Sequence, residues 1–295
     1  MRAYKVNSNI FYLLNAVRGF YFIYIIEGET TQMFKTILVS AFILLFSSCT
    51  SHVKNRSLND ILPRQGYIFI EKTLNIKMCA DGVCSEAEMV SVGSGFVVKK
   101  NYKGVYALTA AHVCNVGVSA PGGGAMDVKI GKKIRVETLD GRFYKAEVIA
   151  TNNEIDACLM FVEDLVHKID IVEFADEGPK PGDRVLNIAS PYGIHFEGVV
   201  PLFEGLYIGD NDKRSLYTFT AAPGSSGSMI LNADGELIGL VHSVYYKLYE
   251  VVVGVSFEEL RQFTKKNIRL HEAKEYRSLY APPLSTGQQL LGRNI

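Results

Sequence analysis

The chain has 295 residues, 48% of them hydrophobic, enough for one large domain or two small ones to bury a core. Lysine plus arginine equal aspartate plus glutamate at 31 each, so no cationic excess is available to neutralise phosphates, and nucleic acid is excluded as a partner. The five cysteines, Cys49, Cys79, Cys84, Cys114 and Cys158, show neither CxxC spacing nor a Cys/His cluster, so neither a metal centre nor a cofactor is expected.

The N-terminus carries two apolar stretches. The first, residues 10–26, is broken by Asn15 and Arg18. The second opens at Met33 with one positive residue, Lys35, runs apolar from Ile37 to Phe46 and closes on small residues before Cys49. That is the build of a secretory signal peptide over 33–48. Its apolar run is shorter than the ~20 residues a membrane-spanning helix needs. The ending Leu45-Phe46-Ser47-Ser48-Cys49 resembles the lipobox of bacterial lipoproteins. The resemblance implies that Cys49 is lipidated and anchors the protein to a membrane outside the cytoplasm, several acyl chains on one residue being enough to hold a soluble domain. Residues 1–32 are then expected to be an upstream extension or a mis-assigned start, with an anchored or two-pass N-terminus as the alternative. Residues 49–66 are polar and aperiodic and read as a tether.

From Tyr67 onward, short apolar or alternating runs follow one another between Gly, Asn, Asp and Pro, the pattern of an all-β protein. Asp140-Gly141 and Asp234-Gly235 are hairpin signals. The runs divide into two sets of about six strands across the linker Asp176–Asp183, which predicts two six-stranded antiparallel β-barrels over about 67–175 and 181–256. One helix is expected at 256–267, with Ser256 as N-cap and Glu259 three residues on. Residues 269–295 are expected to be a loosely ordered tail.

Three segments carry the candidate chemistry. YALTAAHVC puts His112 just past a strand end, NNEIDACLMFV puts Asp156 at the start of an apolar strand, and PGSSGS puts Ser226 in a glycine-rich turn. Each is weak alone. In the order His, Asp, Ser, together with GSGFVV at Gly93 and NIASPYG, they resemble the trypsin-like, chymotrypsin-fold serine peptidases over Tyr67 to about Lys266. Their flavour is that of the bacterial HtrA-like and glutamyl-endopeptidase branches. An α/β-hydrolase would need GxSxG between strand and helix and the order Ser, acid, His, neither of which is present.

The resemblance implies an active site between the barrels and a serine endopeptidase acting on protein or peptide substrates. His112 is the implied general base, Asp156 its orienting acid and Ser226 the nucleophile, with the amides of Gly224 and Ser226 as the oxyanion hole. A catalytically silent member acting as a binding or structural lipoprotein is the alternative. Ser225 stands where digestive relatives have the aspartate that receives a freed N-terminus, so no activation cleavage is expected. The implied substrate pocket is bounded by Thr220, Ala221 and Ala222 and by Val241, His242 and Val244. It has no acidic floor, and Val244 would shorten it, favouring small aliphatic side chains. His242 is one position off the histidine of glutamyl endopeptidases and is expected to sit near Asp156. His195 is expected on an exposed loop. If His112 and Asp156 touch, Cys114 and Cys158 come close enough to bridge, and Cys79 and Cys84 would close a hairpin tip. The residues after Lys266 are too few for the peptide-binding PDZ module that many HtrA-like proteases append.

Overall fold

The computed structural model describes residues 57–280, except 81–82, 116–126, 167 and 246–247, together with three strands nearer the N-terminus. Those strands, β1 (Tyr4–Val6), β2 (Asn9–Ala16) and β3 (Gly19–Ile23), form an antiparallel sheet of their own. The expected signal segment, Cys49 and residues 281–295 lie outside the described residues.

Twelve further strands form two closed barrels. β4 (Tyr67–Ala80), β5 (Val83–Lys100), β6 (Gly104–Ala110), β7 (Asp127–Thr138), β8 (Phe143–Asn152) and β9 (Ala157–Glu163) close in the order β4-β5-β6-β9-β8-β7. β10 (Arg184–Ile188), β11 (Leu202–Asp210), β12 (Arg214–Thr218), β13 (Met229–Leu231), β14 (Leu237–Tyr245) and β15 (Leu248–Val255) close in the same pattern, β10-β11-β12-β15-β14-β13. All neighbours are antiparallel, as the alternating runs predict. Closure removes most free sheet edges. Ile68, Phe96, Leu108 and Leu159 fill the first barrel, and Tyr217, Ile230 and Val252 the second. Asp140-Gly141 and Asp234-Gly235 do turn hairpins, Gly141 and Gly235 having φ of +77° and +84°.

β4, β5 and β7 continue past the barrel wall as a three-stranded arm. Every residue of β5 from Val83 to Val92 is exposed, whereas the next five are buried. A disulfide between Cys79 and Cys84 closes its tip, with Cα atoms 4.1 Å apart.

Three expectations need correction. The end of the expected tether is packed on the domain, because α1 (Leu58–Ile61) and the 3-10 turn Arg64–Gly66 bring Leu62 into the core. The C-terminal helix, α3 (Phe257–Tyr280), runs well past residue 267 and takes in the first part of the expected tail. Its later turns carry few apolar residues and are held by polar partners on the first barrel: Lys99 with Glu272, Lys103 with Glu275, and the Tyr106 hydroxyl with His271 Nδ1. Ser256 does sit at the N-cap, its carbonyl accepting from Leu260 N, but its hydroxyl donates to the Asp212 carbonyl rather than into the helix.

Candidate active site

His112 sits on a single helical turn, α2 (Ala111–Cys114), at the end of β6. Its Nδ1 lies 2.8 Å from Asp156 Oδ2, and its backbone N–H donates to Oδ1 at 2.9 Å. The carboxylate thus accepts from both groups of one residue. With Nδ1–H committed there, Nε2 is left as the basic nitrogen on the exposed side of the ring. Asp156 itself is nearly buried at the mouth of β9, in a left-handed conformation with φ +59°. The turn before it is held from the second barrel, because Arg214 donates to the carbonyls of Ile155 and Glu154 at 2.6 and 2.8 Å. Burial alone would raise the Asp156 carboxyl pKa. The hydrogen bonds and charge of His112, with His242 adding, outweigh it and hold the group below its usual range.

The far end of α2 is held as firmly. Its last carbonyls lack helical partners. Lys72 Nζ donates to the carbonyls of His112 and Asn115, at 3.2 and 2.7 Å, and Lys132 Nζ to that of Cys114 at 3.1 Å. Lys72 is buried, and burial, with Lys132 nearby, pushes its pKa down. Sequence reasoning misses Lys72, although a signal exists: it interrupts the inward-facing series Ile68, Ile70, Leu74, Ile76 on β4. The Cys114–Cys158 disulfide, expected if His112 and Asp156 touch, ties α2 to β9 beside Asp156.

Ser226 lies in the turn Pro223–Ser228, in which two peptide groups are fixed by hydrogen bonds. The Pro223 carbonyl accepts from Tyr192 N at 2.5 Å, and the Ser225 carbonyl from Ser228 N at 3.1 Å. In a trans peptide the N–H points opposite its carbonyl, so the N–H groups of Gly224 and Ser226 turn the other way. Among the described residues, no backbone acceptor takes either of them. Gly224 has φ +99°, and a Cβ there would come 2.4 Å from the Ser190 carbonyl oxygen, so only glycine fits. Gly227 is equally constrained, with φ +84° and a Cβ position 2.1 Å from Thr109 Oγ1.

A buried polar network fixes this turn to the first barrel. Ser94 N donates to the Ser226 carbonyl and Ser94 Oγ to the Gly224 carbonyl, both at 2.9 Å, while Ser190 N donates to Ser94 Oγ. Tyr67 and Ser190 hydrogen-bond through their hydroxyls. The loop Ser190–Val199, which supplies Tyr192 N, is pinned through His195. Contrary to the expected exposed position, this ring is stacked on Phe69 at 4.2 Å, with Nε2 3.1 Å from Glu137.

His112 and Ser226 line one open cavity of about 340 Å³ with Ala221, Ala222, Val241, His242 and Val244. Thr220 does not line it. Thr220 is exposed, whereas Ala221 is buried and Ala222 half-buried at the cavity wall. Pro223, Ser225 and Ser243 line it without having been singled out. His242 is close to Asp156, its Nε2 3.5 Å from Oδ2 and its Nδ1 2.7 Å from Ser243 Oγ. Among the described residues there is no His/Cys/Asp/Glu cluster able to hold a metal ion.

Comparison with known proteins points the same way. A family model described as a trypsin-like peptidase domain matches residues 93–240, half of the chain. A probable periplasmic serine endoprotease, DegP-like, of a Marinomonas species is 31% identical over 177 residues, covering 58% of this chain and 34% of that protein. A protein of the same description from Halomonas elongata is 28% identical over 163 residues, covering 54% and 30%. The chain thus spans about a third of the length of these curated relatives. The crystal structure of the serine endoprotease from Yersinia pestis superposes with a TM-score of 0.52 at 19% identity, covering 72% of this chain and 67% of that one.

Proposed function

The chain belongs to the family of trypsin-like peptidase domains, and from that premise we propose that it is a serine endopeptidase working through His112, Asp156 and Ser226. The observation that carries the reading is the His112–Asp156 pair opening onto the cavity that Ser226 also lines. A serine hydroxyl is a weak nucleophile at neutral pH. His112 Nε2 takes its proton as Oγ attacks the scissile carbonyl, and Asp156 holds the imidazole in the required tautomer and stabilises the imidazolium. The tetrahedral oxyanion accepts from the N–H groups of Gly224 and Ser226. His112 then protonates the leaving amine, and water resolves the acyl-enzyme by the same steps in reverse. Valines 241 and 244 and alanines 221 and 222 favour a small aliphatic side chain on the acyl side of the scissile bond.

The protein acts outside the cytoplasm, held at a membrane by a lipid on Cys49, with residues 1–32 upstream of the signal. Relatives named as periplasmic and two disulfides support the compartment. Among the described residues no helix is long and apolar enough to cross a membrane. The test is labelling of the purified protein with a fluorophosphonate probe. Wild type is labelled and Ser226→Ala is not; folded wild-type protein that resists the probe overturns the proposal. Mass spectrometry of the mature N-terminus tests the anchor, a diacylated Cys49 being expected.

A further inference from the structure

Asp156 closes the turn before β9 with φ +59°, a conformation sparsely populated by residues that carry a side chain. Such backbone persists only where its surroundings fix it, and around Asp156 they do so one peptide at a time. Asn152 Oδ1 accepts from the N–H groups of Glu154 and Ile155, at 3.0 and 3.4 Å. The carbonyls of the same two residues accept from Arg214, Glu154 from Nη2 at 2.8 Å and Ile155 from Nη1 at 2.6 Å. Beyond the turn, the Asp156 carbonyl accepts from Ala111 N at 3.1 Å.

The Ile155 carbonyl belongs to the peptide that enters Asp156, and the Asp156 carbonyl to the peptide that leaves it. The Asp156 Cα is therefore held from both sides, once by the second barrel and once by the helical turn that carries His112. With both peptides fixed, the direction of Cβ is fixed too. The carboxylate then meets the ring and the backbone N–H of His112 together.

Arg214 is itself firmly mounted. It opens β12, where it pairs with Val255 of β15, and its backbone N–H and carbonyl bond Asn211 at 3.0 and 2.9 Å. Lys213 beside it pairs with the Glu154 carboxylate, so two successive side chains of the second barrel grip this one turn of the first. A planar guanidinium offers two donors at a fixed spacing, which suits two successive carbonyls; an ammonium has no such fork.

We propose that Arg214 is the positioning residue of the triad acid: its guanidinium locks the backbone from Glu154 to Asp156 in the left-handed conformation that presents the carboxylate to His112. The inference rests on the peptidase reading. Arg214 does not line the cavity that holds His112 and Ser226, so it acts on the reaction through Asp156. The His112–Asp156 pair of the first barrel is then complete only when the second barrel is docked on it.

The test is hydrolysis of a short quenched fluorescent peptide by Arg214→Met, which keeps the apolar stem and removes the donors, and by Arg214→Lys, which keeps the charge without the fork. In Arg214→Met kcat is expected to fall about 10- to 100-fold with KM within about twofold of wild type, and Arg214→Lys should recover part of the loss. A double-mutant cycle with Asp156→Asn separates positioning from a general loosening of the fold. Once the carboxylate is gone the arginine has nothing left to position, so Arg214→Met should change the rate of fluorophosphonate labelling less than about twofold in the Asp156→Asn background. A folded Arg214→Met with wild-type kcat, or an equal fold-loss in both backgrounds, overturns the proposal and leaves the peptidase reading standing. If circular dichroism shows Arg214→Met unfolded, Arg214→Lys takes its place in the cycle, with a smaller loss that must likewise vanish beside Asp156→Asn. Folded wild-type protein that resists the probe sinks the peptidase reading first, and this one with it.

Discussion

Asp156 joins two demands on one carboxylate, orienting His112 and lying next to His242. Asp156→Asn keeps the shape but offers an N–H where His112 needs an acceptor, so the imidazole is held in the wrong tautomer. We expect kcat to fall roughly 10⁴-fold with KM little changed, measured by steady-state kinetics at pH 7. A fall of only a few-fold would remove Asp156 from the triad. The same cluster sets a pH dependence of stability. Burial pushes the His242 imidazole below its ordinary 6.5, Arg214 and His112 adding to the effect and Asp156 opposing it. As pH falls below about 6.5 the unfolded chain takes up this proton before the native one, so native stability declines until His242 also protonates. For Asp156, also lowered, the same sign applies nearer pH 4, below the ordinary carboxyl value of about 3.9. The thermal midpoint should therefore drop between pH 7 and 5.5, and His242→Gln should flatten that part of the profile. An unchanged slope in the variant would locate the effect elsewhere.

At the scale of elements, the turn around Ser226 and the helix around His112 are each held by groups outside their own sequence. Gly224→Ala adds a Cβ against the Ser190 carbonyl in a conformation that already disfavours it. The strained backbone costs about 1–3 kcal/mol, and losing one aligned N–H lowers kcat about 10²–10³-fold, so activity should fall far more than stability. Comparing fluorophosphonate labelling with the melting midpoint separates the two. The Cys114–Cys158 bridge closes a loop with a sequence separation of 44. Replacing both cysteines by serine should cost roughly 2–5 kcal/mol, lowering the midpoint by on the order of 10 °C in a domain of this size. A midpoint unmoved by the substitution or by reductant would mean that the bridge contributes nothing. The motifs were legible because the chemistry requires particular residue types at a strand end and a tight turn. Lys72 was harder to read, since a lysine in a strand suggests solvent and only its parity with Ile68, Ile70 and Leu74 says otherwise.

From residue 57 onward the described residues form two barrels, and the candidate catalytic residues His112 and Ser226 line a cavity with contributions from both. Alternation along the strands made the twelve-stranded division readable, because each strand reports its own inward face. What holds the halves together was not readable, because it depends on pairs far apart in the chain: Ser94 with Ser226, Arg214 with Ile155, His195 with Glu137. The extended end of α3 was hidden for the same reason, its partners being Lys99, Lys103 and Tyr106. His195 gives the sharpest test of how assembly governs function. Its ring lies on Phe69 of β4 and reaches Glu137 of β7, so it clamps the second barrel's Ser190–Val199 loop to the first barrel. That loop supplies the Tyr192 N–H that fixes the Pro223 carbonyl, and the fixed carbonyl in turn aims the Gly224 N–H. His195→Ala releases the clamp without touching the triad. The Pro223–Gly224 peptide is then free to rotate, and the oxyanion hole is formed only part of the time. We expect kcat to fall by about one to two orders of magnitude, within the roughly 10²–10³-fold ceiling for losing one donor. KM for short peptides should stay near the wild-type value, because the cavity walls are unaltered. A peptide boronate, which forms a tetrahedral adduct at the serine, should lose affinity in proportion to kcat, whereas a merely looser fold would lower the melting midpoint and leave that ratio unchanged.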